Sequence, residues 1–348
     1  MNFISALLLA ASTLTYAANA AQTDEDLSGE VIDAVPINKP AAEFPRLAAN
    51  RGREGWVQLS YVINEKGEVE SPVIEYSSGH ASFERSALKA VNEWKFKPAL
   101  QNNKPVKQCK NQVQMSFYLQ GAPRSVSSSF LNRYKKIGKK IDSNDLEAIP
   151  ELFGEMRERK LKNFTEDTYY WVAKARYYAA IGDKYLELHA IIRVIKARKG
   201  YIPDDMFIAF LSRATALNLE HNLLFYALHT FERLSEFPDA QASINKLKPF
   251  IDKAHALIKD DSKTIWVRGK IKRSVWSHKL VRNAFTIADI NGSLSSLEVR
   301  CKNQFSSYDV KPGLKWNIPK NWQGCQVYVY GEKGASFHLV ETPHGEEV

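Results

Sequence analysis

Three cysteines and eight histidines, none of them in a metal-ligand spacing, give this 348-residue sequence little of what metal or thiol catalysis requires. No His-x-x-x-His or Cys-x-x-Cys occurs, and His221 and His229 are too far apart for one helical turn. A Gly-x-Ser-x-Gly elbow, a Gly-rich phosphate loop and a dinucleotide fingerprint are also missing. The acidic pairs Asp204-Asp205 and Asp260-Asp261 fall at expected helix ends, where carboxylates cap or are solvated. These gaps argue against an enzyme and predict no cofactor, no metal and no small-molecule substrate. Beyond the first residues, no apolar run is long enough to cross a bilayer.

What is present describes a folded, exported chain. Hydrophobic residues make up 44% and charged residues 25%, the balance of a globular protein rather than a disordered one. The length suits two or three domains. The net charge of +9 is uneven: −1 over residues 22–122, +4 over 123–261 and +6 over 262–348. In an exported protein a basic C-terminal segment suits anionic lipid, glycan or acidic protein surfaces better than nucleic acid.

Met1 to Ala20 is a short apolar stretch ending in Ala18-Asn19-Ala20, a small-x-small cleavage site, so residues 1–20 are expected to be a signal peptide. The alternative is an uncleaved anchor in the inner membrane, but Ser, Thr, Tyr and Asn dilute the stretch. Export permits disulfides. Cys301 follows Leu297 and Val299 in one strand phase, and Cys325 precedes Val327 and Val329 in another. Both sulfurs therefore face one core and are expected to pair. Cys109 is left over, an inert residue near a strand.

The residues divide into three segments and predict an α+β multidomain chain. In the first, 34–122, Val57, Leu59, Tyr61 and Ile63 alternate, and Asn64-Glu65-Lys66-Gly67 turns the chain. Val69 to Ser77 forms a second strand, which Pro72 pushes to a sheet edge. Phe83, Ala87, Val91 and Trp94 form a helical stripe, and Val113 to Leu119 returns to alternation. That order gives one helix on a small antiparallel sheet. Gly121 to Ser129 marks a boundary.

The second segment, 130–260, is helical. Tyr185, Leu188, Ala190 and Val194 fall opposite Asn222, Phe225, Ala227 and Phe231, which suggests tetratricopeptide-like helix pairs, with Gly182 in the first unit matched by Leu219 in the second. The cluster Tyr169-Tyr170-Trp171 reads as repeat packing, and Lys135, Lys136, Lys139 and Lys140 as a solvated helix face. In the third segment, 262–348, Ile265, Val267, Gly269 and Ile271 alternate with Trp266, Arg268, Lys270 and Lys272, and Asn291-Gly292 is a tight turn. A small antiparallel sandwich is expected there.

Across the first segment several blocks recur in a set order: Phe44-Pro45, Glu54-Gly55, Gly67, Ser77-Ser78-Gly79, and Trp94-Lys95-Phe96-Lys97-Pro98-Ala99. This run resembles the C-terminal domain of TonB-type energy transducers and covers about a quarter of the chain. The resemblance implies a two-layer αβ module. Most motif residues (Phe44, Pro45, Glu54, Gly55, Gly67, Trp94, Phe96 and Pro98) serve as scaffold, Pro98 ending the helix that Trp94 closes.

The resemblance places function in an exposed strand edge that adds a partner's extended segment to the sheet. By position that edge is Val113, Gln114, Met115, Ser116, Phe117, Tyr118 and Leu119. The implied partner is an envelope protein such as a TonB-dependent outer-membrane transporter, and the location the periplasm. An ExbB/ExbD-type complex would join only if the N-terminus were kept as an anchor on the inner membrane. The chain departs from a transducer in having only Ala21 to Lys39 as spacer, at most roughly 65 Å when stretched. Three readings follow: a periplasmic adaptor, an anchored transducer, or an envelope scaffold in which the module only packs internally.

Overall fold

The computed structural model describes residues 31–121, 125–158, 161, 163–196, 200–311, 313–319 and 321–343. The expected signal peptide lies outside them. The chain is α+β, and its sheets are antiparallel throughout the described residues.

The N-terminal segment contains β1 (Val31–Ile32), β2 (Val35–Asn38), α1 (Arg46–Ala49), β3 (Gly55–Ile63), β4 (Val69–Ser77) and α2 (Ala81–Asn92). It continues with β5 (Lys95–Lys97), β6 (Ala99–Gln101), β7 (Lys104–Val106) and β8 (Gln108–Phe117). The main sheet has the order β4-β3-β8, beside a small β1-β6-β7 sheet and a β2-β5 pair. Val57, Leu59, Tyr61 and Ile63 face α2 and bury its Phe83, Ala87 and Val91. Each large side chain so buried contributes about 1.5–3 kcal/mol.

Pro72 does sit on an edge strand. Ser71 before it takes φ 48°, and the pairing with β3 shifts register there, which accommodates the missing N–H. One expectation fails. The helix ends at Asn92, and Lys95–Lys97 runs as strand β5 against β2. Phe96 N–H donates to Gly67 O at 2.8 Å, so the middle of the Trp94-to-Pro98 block is strand, and Pro98 is not what ends the helix.

The helices are α3 (Ser128–Asp142), α4 (Ile149–Glu158), α5 (Phe164–Ala180), α6 (Lys184–Lys196), α7 (Asp204–Glu220), α8 (Leu224–Ser235) and α9 (Gln241–Lys259). A short 3₁₀ turn, Pro238–Ala240, precedes α9. Helices α5 and α6 pack as one hairpin and α7 and α8 as another, sharing a core that includes Leu188, Ile191, Leu211 and Leu234. The residue that turns the first hairpin in the left-handed region is Gly182 (φ 74°), and its counterpart is Asn222 (φ 56°). The match of Gly182 to Leu219 is thus short by three residues. Positions three apart share a helix face, so the apolar pattern alone does not fix the register.

The C-terminal strands are β9 (Ile265–Lys270), β10 (Val275–Lys279), β11 (Ala284–Asn291), β12 (Leu294–Arg300) and β13 (Phe305–Asp309), then β14 (Lys315–Asn317), β15 (Gln326–Gly331) and β16 (Ser336–Thr342). They form two four-stranded sheets, β10-β15-β12-β13 and β14-β11-β16-β9. Phe285, Leu297, Val327 and Leu339 lie in the shared core with the disulfide Cys301–Cys325. Buried Arg282 joins this segment to the helices. Its guanidinium donates to Leu257 O at 2.6 Å and Asp260 O at 2.8 Å, adding a second donor to carbonyls at the end of α9.

Candidate partner-binding edge

A three-stranded sheet can meet a partner through its faces or its edges, and here both faces are covered. One carries α2. On the other, the Trp56 indole N–H makes a long hydrogen bond, 3.4 Å, to Asp167 Oδ2 of α5. Lys196 Nζ of α6 donates to Gln58 Oε1 at 3.1 Å, and the Ser60 hydroxyl bonds the Tyr328 hydroxyl of β15 at 3.0 Å. Only the outer flanks of β4 and β8 remain.

The flank of β4 lines a cleft between the three segments. That of β8 opens outwards. At its start, Cys109 N–H donates to Lys302 O at 3.1 Å, so the C-terminal segment holds this end. Among the described residues, no strand pairs with β8 on the side away from β3. Gln112 and Gln114 are exposed, Val113, Met115 and Ser116 are half-buried, and Phe117 is buried. From Lys110 to Phe117 the open flank runs about 25 Å at 3.3 Å per residue.

The far end is closed by a motif residue. Glu54 accepts Leu119 N–H on Oε1 at 3.1 Å and Phe164 N–H on Oε2 at 3.3 Å. Phe164 opens α5, so the carboxylate satisfies an unpaired amide at a helix N-terminus, where its charge is also favoured. The Tyr118 ring stacks on that of Phe164, 4.9 Å between centroids. Tyr118 and Leu119 therefore lie past the end of the strand, tied to α5, and do not extend the expected edge.

The other motif residues hold the module together. A Cβ on Gly55 would lie 2.5 Å from the Phe83 ring, and one on Gly67 (φ 77°) 1.7 Å from Phe96 O, so neither position takes a side chain. Phe44 packs edge-on to Phe83 and Phe117, at 5.7 and 5.9 Å. Pro45 starts α1, and Trp94 Nε1 donates to Pro40 O at 2.9 Å.

Residues 40–119 match the family model for the Gram-negative bacterial TonB protein C-terminal. This segment is a TonB C-terminal domain. Protein tonB2 of Pseudomonas aeruginosa is 37% identical to the chain over 68 residues, which are 20% of this chain and 25% of that protein. Protein TonB of Vibrio cholerae is 32% identical over 77 residues, 20% of this chain and 32% of that protein. The chain thus spans a quarter to a third of the length of these curated relatives. Among solved structures, the solution NMR structure of the Pseudomonas aeruginosa TonB CTD is 24% identical, covering 26% of this chain and 91% of its own, with a TM-score of 0.24. The tonb2 protein from Vibrio anguillarum gives 24% identity, 34% and 97% coverage and a TM-score of 0.22.

Outside the TonB domain, Asp204 and Asp205 occupy the first turn of α7, and Asp260 caps the end of α9. Tyr170 is buried and Trp171 half-buried in the helical cores. Among the described residues, no group of three or more His, Cys, Asp or Glu is arranged to hold a metal, and no helix is long and apolar enough to cross a membrane. Cys109 is buried, and burial pushes its thiol up to about 12, far from a reactive thiolate.

Sequence reasoning missed the groups that lock the segments together: Asp167 and Arg193 between the TonB domain and the helices, and Arg282 between the helices and the C-terminal strands. Arg193 donates to Ser77 O and stacks over the Trp171 ring, 4.5 Å from its centroid. Their partners lie far away in sequence, so no local pattern reveals them. The signal that was available is the row Arg268, Lys270 and Lys272 on the polar side of one alternating run.

Proposed function

We propose that this chain is a periplasmic adaptor that captures an extended segment of an envelope partner, such as a TonB-dependent outer-membrane transporter, as a strand added to β8. The observation that carries this reading is the flank from Lys110 to Phe117, unpaired among the described residues, while α2 covers one face of the sheet and α5, α6 and β15 contact the other. Main-chain hydrogen bonds would give affinity. The exposed side chains of Gln112 and Gln114 would read alternate residues of the guest. The closed ends, at Cys109 and at Glu54, limit the guest to about seven or eight paired residues.

Gln114→Cys tests the reading in the oxidised protein, because buried Cys109 does not compete for disulfide exchange. Peptides of a transporter's N-terminal segment, each carrying one Cys, should cross-link at alternate positions, since strand side chains face the same way every second residue. The Cys109–Lys302 hydrogen bond favours a second reading, an envelope scaffold in which the TonB domain packs internally. Cross-linking at every position alike, or at none, would reject strand addition and leave that scaffold.

A further inference from the structure

The cleft beside β4 has a volume of about 790 Å³, the size of a small-molecule site. Its walls come from all three segments. Five cations line it: Arg193 of α6, Arg268 and Lys270 of β9, and Lys272 and Arg273 in the bend that follows. Arg273 is matched by Glu84, with both guanidinium nitrogens on the carboxylate at 2.9 and 3.1 Å. The Nε of Arg193 is buried with no hydrogen-bond partner. Arg268, Lys270 and Lys272 make no ion pair with an acid among the described residues.

The two acids of the wall are committed elsewhere. Glu75 accepts the Tyr328 hydroxyl at 2.9 Å and the Gln326 amide at 3.3 Å. Glu298 binds buried Arg300 at 2.6 Å and the Tyr330 hydroxyl at 3.1 Å. Tyr328 and Gln326 are neutral, so Glu75 keeps its charge; with Arg273 matched by Glu84, four cations face that one acid and the cleft carries an excess of positive charge. His189 on its wall registers this: burial first, then Lys272, Arg193 and Lys174, push the imidazole down to about 3. Between the cations the wall is apolar, from Leu88, Leu188, Ile192, Leu223 and Trp276.

We propose that this cleft binds a small amphipathic anion, its acid group held by Arg268, Lys270 and Lys272 and its apolar body against Leu188, Ile192 and Trp276. A bare inorganic ion would satisfy the charges and leave the apolar wall wet. A neutral apolar molecule would cover the cations without pairing them, and an unpaired charge taken from water is costly. Such a ligand would touch β4, α6 and β9 together, and would do so without using the β8 flank.

Two fluorescent probes that share an aromatic body separate these cases. 1-Anilinonaphthalene-8-sulfonate carries an acid group, and N-phenyl-1-naphthylamine does not. The full chain should bind the sulfonate saturably at one site, with affinity falling as NaCl rises, and should bind the neutral probe far more weakly. The double variant Arg268→Gln/Lys270→Gln, both exposed positions on β9 where the fold is not at risk, should weaken sulfonate binding at least tenfold. Lys272→Gln should act in the same direction. The neutral probe should not respond to either change. Equal binding of the two probes, less than a twofold change in the double variant, or displacement of the sulfonate by inorganic phosphate as readily as by 2-naphthoate (an adventitious ion only) would each overturn the proposal.

Discussion

Asp167 shows how one side chain couples the TonB domain to the helices and makes that coupling depend on pH. It is fully enclosed, and burial raises its carboxyl from 3.8 to about 6 against the smaller opposing pull of Arg193 and the Trp56 indole. The folded state thus holds the proton more tightly than the unfolded one. Stability is fully present below 3.8 and is lost as pH rises through about 6. Denaturant unfolding of the wild type and of Asp167→Asn should show this. Between pH 4 and pH 8 the wild type should lose about 2 kcal/mol more than the variant, which cannot ionise but still accepts from Trp56. Equal pH profiles for the two proteins would remove Asp167 as the cause. At this scale the sequence exposed what acts locally and hid what acts at a distance. Gly55 and Gly67 could be read as scaffold because each motif keeps its own spacing. The second role of Glu54, on an amide 110 residues away, could not.

At the scale of elements, the disulfide is the clearest case of a pattern that carried its partner with it. Cys301 and Cys325 share strand phase with apolar neighbours, and that phase alone aims both sulfurs into the core where they are found bonded. The bond spans 24 residues and restricts the unfolded chain by about 3 kcal/mol in the loop-entropy account. Replacing both by Ala should lower unfolding stability by about that much, with the loss read from denaturant curves of the full chain. A loss well under 1 kcal/mol would mean that the paired sheets hold without it. Cys109 should stay unlabelled by iodoacetamide in the native protein and react once the chain is denatured. Other elements were less legible. Strand β5 is hidden in the sequence because Trp94 continues the helical stripe of α2, while the partners of β5, strand β2 and the Gly67 carbonyl, lie far off in sequence. The hairpins of the helical segment slipped by three residues for the reason that makes helices hard to register: Gly182 and Asn222 both reach the left-handed region, and apolar stripes repeat on the same face.

At the scale of the whole molecule, the chain's own helices and C-terminal strands cover much of the TonB domain's sheet. Helices α5 and α6 and strand β15 take the face opposite α2. A hydrogen bond from Cys109 to Lys302 holds the start of β8, and Glu54 fixes its end. None of this was legible in the sequence, because each contact joins segments that look independent when read alone. The outcome is an edge open between two stops, and under the proposed strand addition those stops limit a guest in length and position. Interstrand NOEs in the full-length protein with a transporter-derived peptide are the most direct test. Strand addition predicts peptide Cα-proton contacts to the outer flank of Gln112 to Phe117 in a regular ladder, with the β3–β8 pairing unchanged. Peptide contacts confined to the β4 side of the sheet, or a saturated complex with no contact to β8, would contradict it.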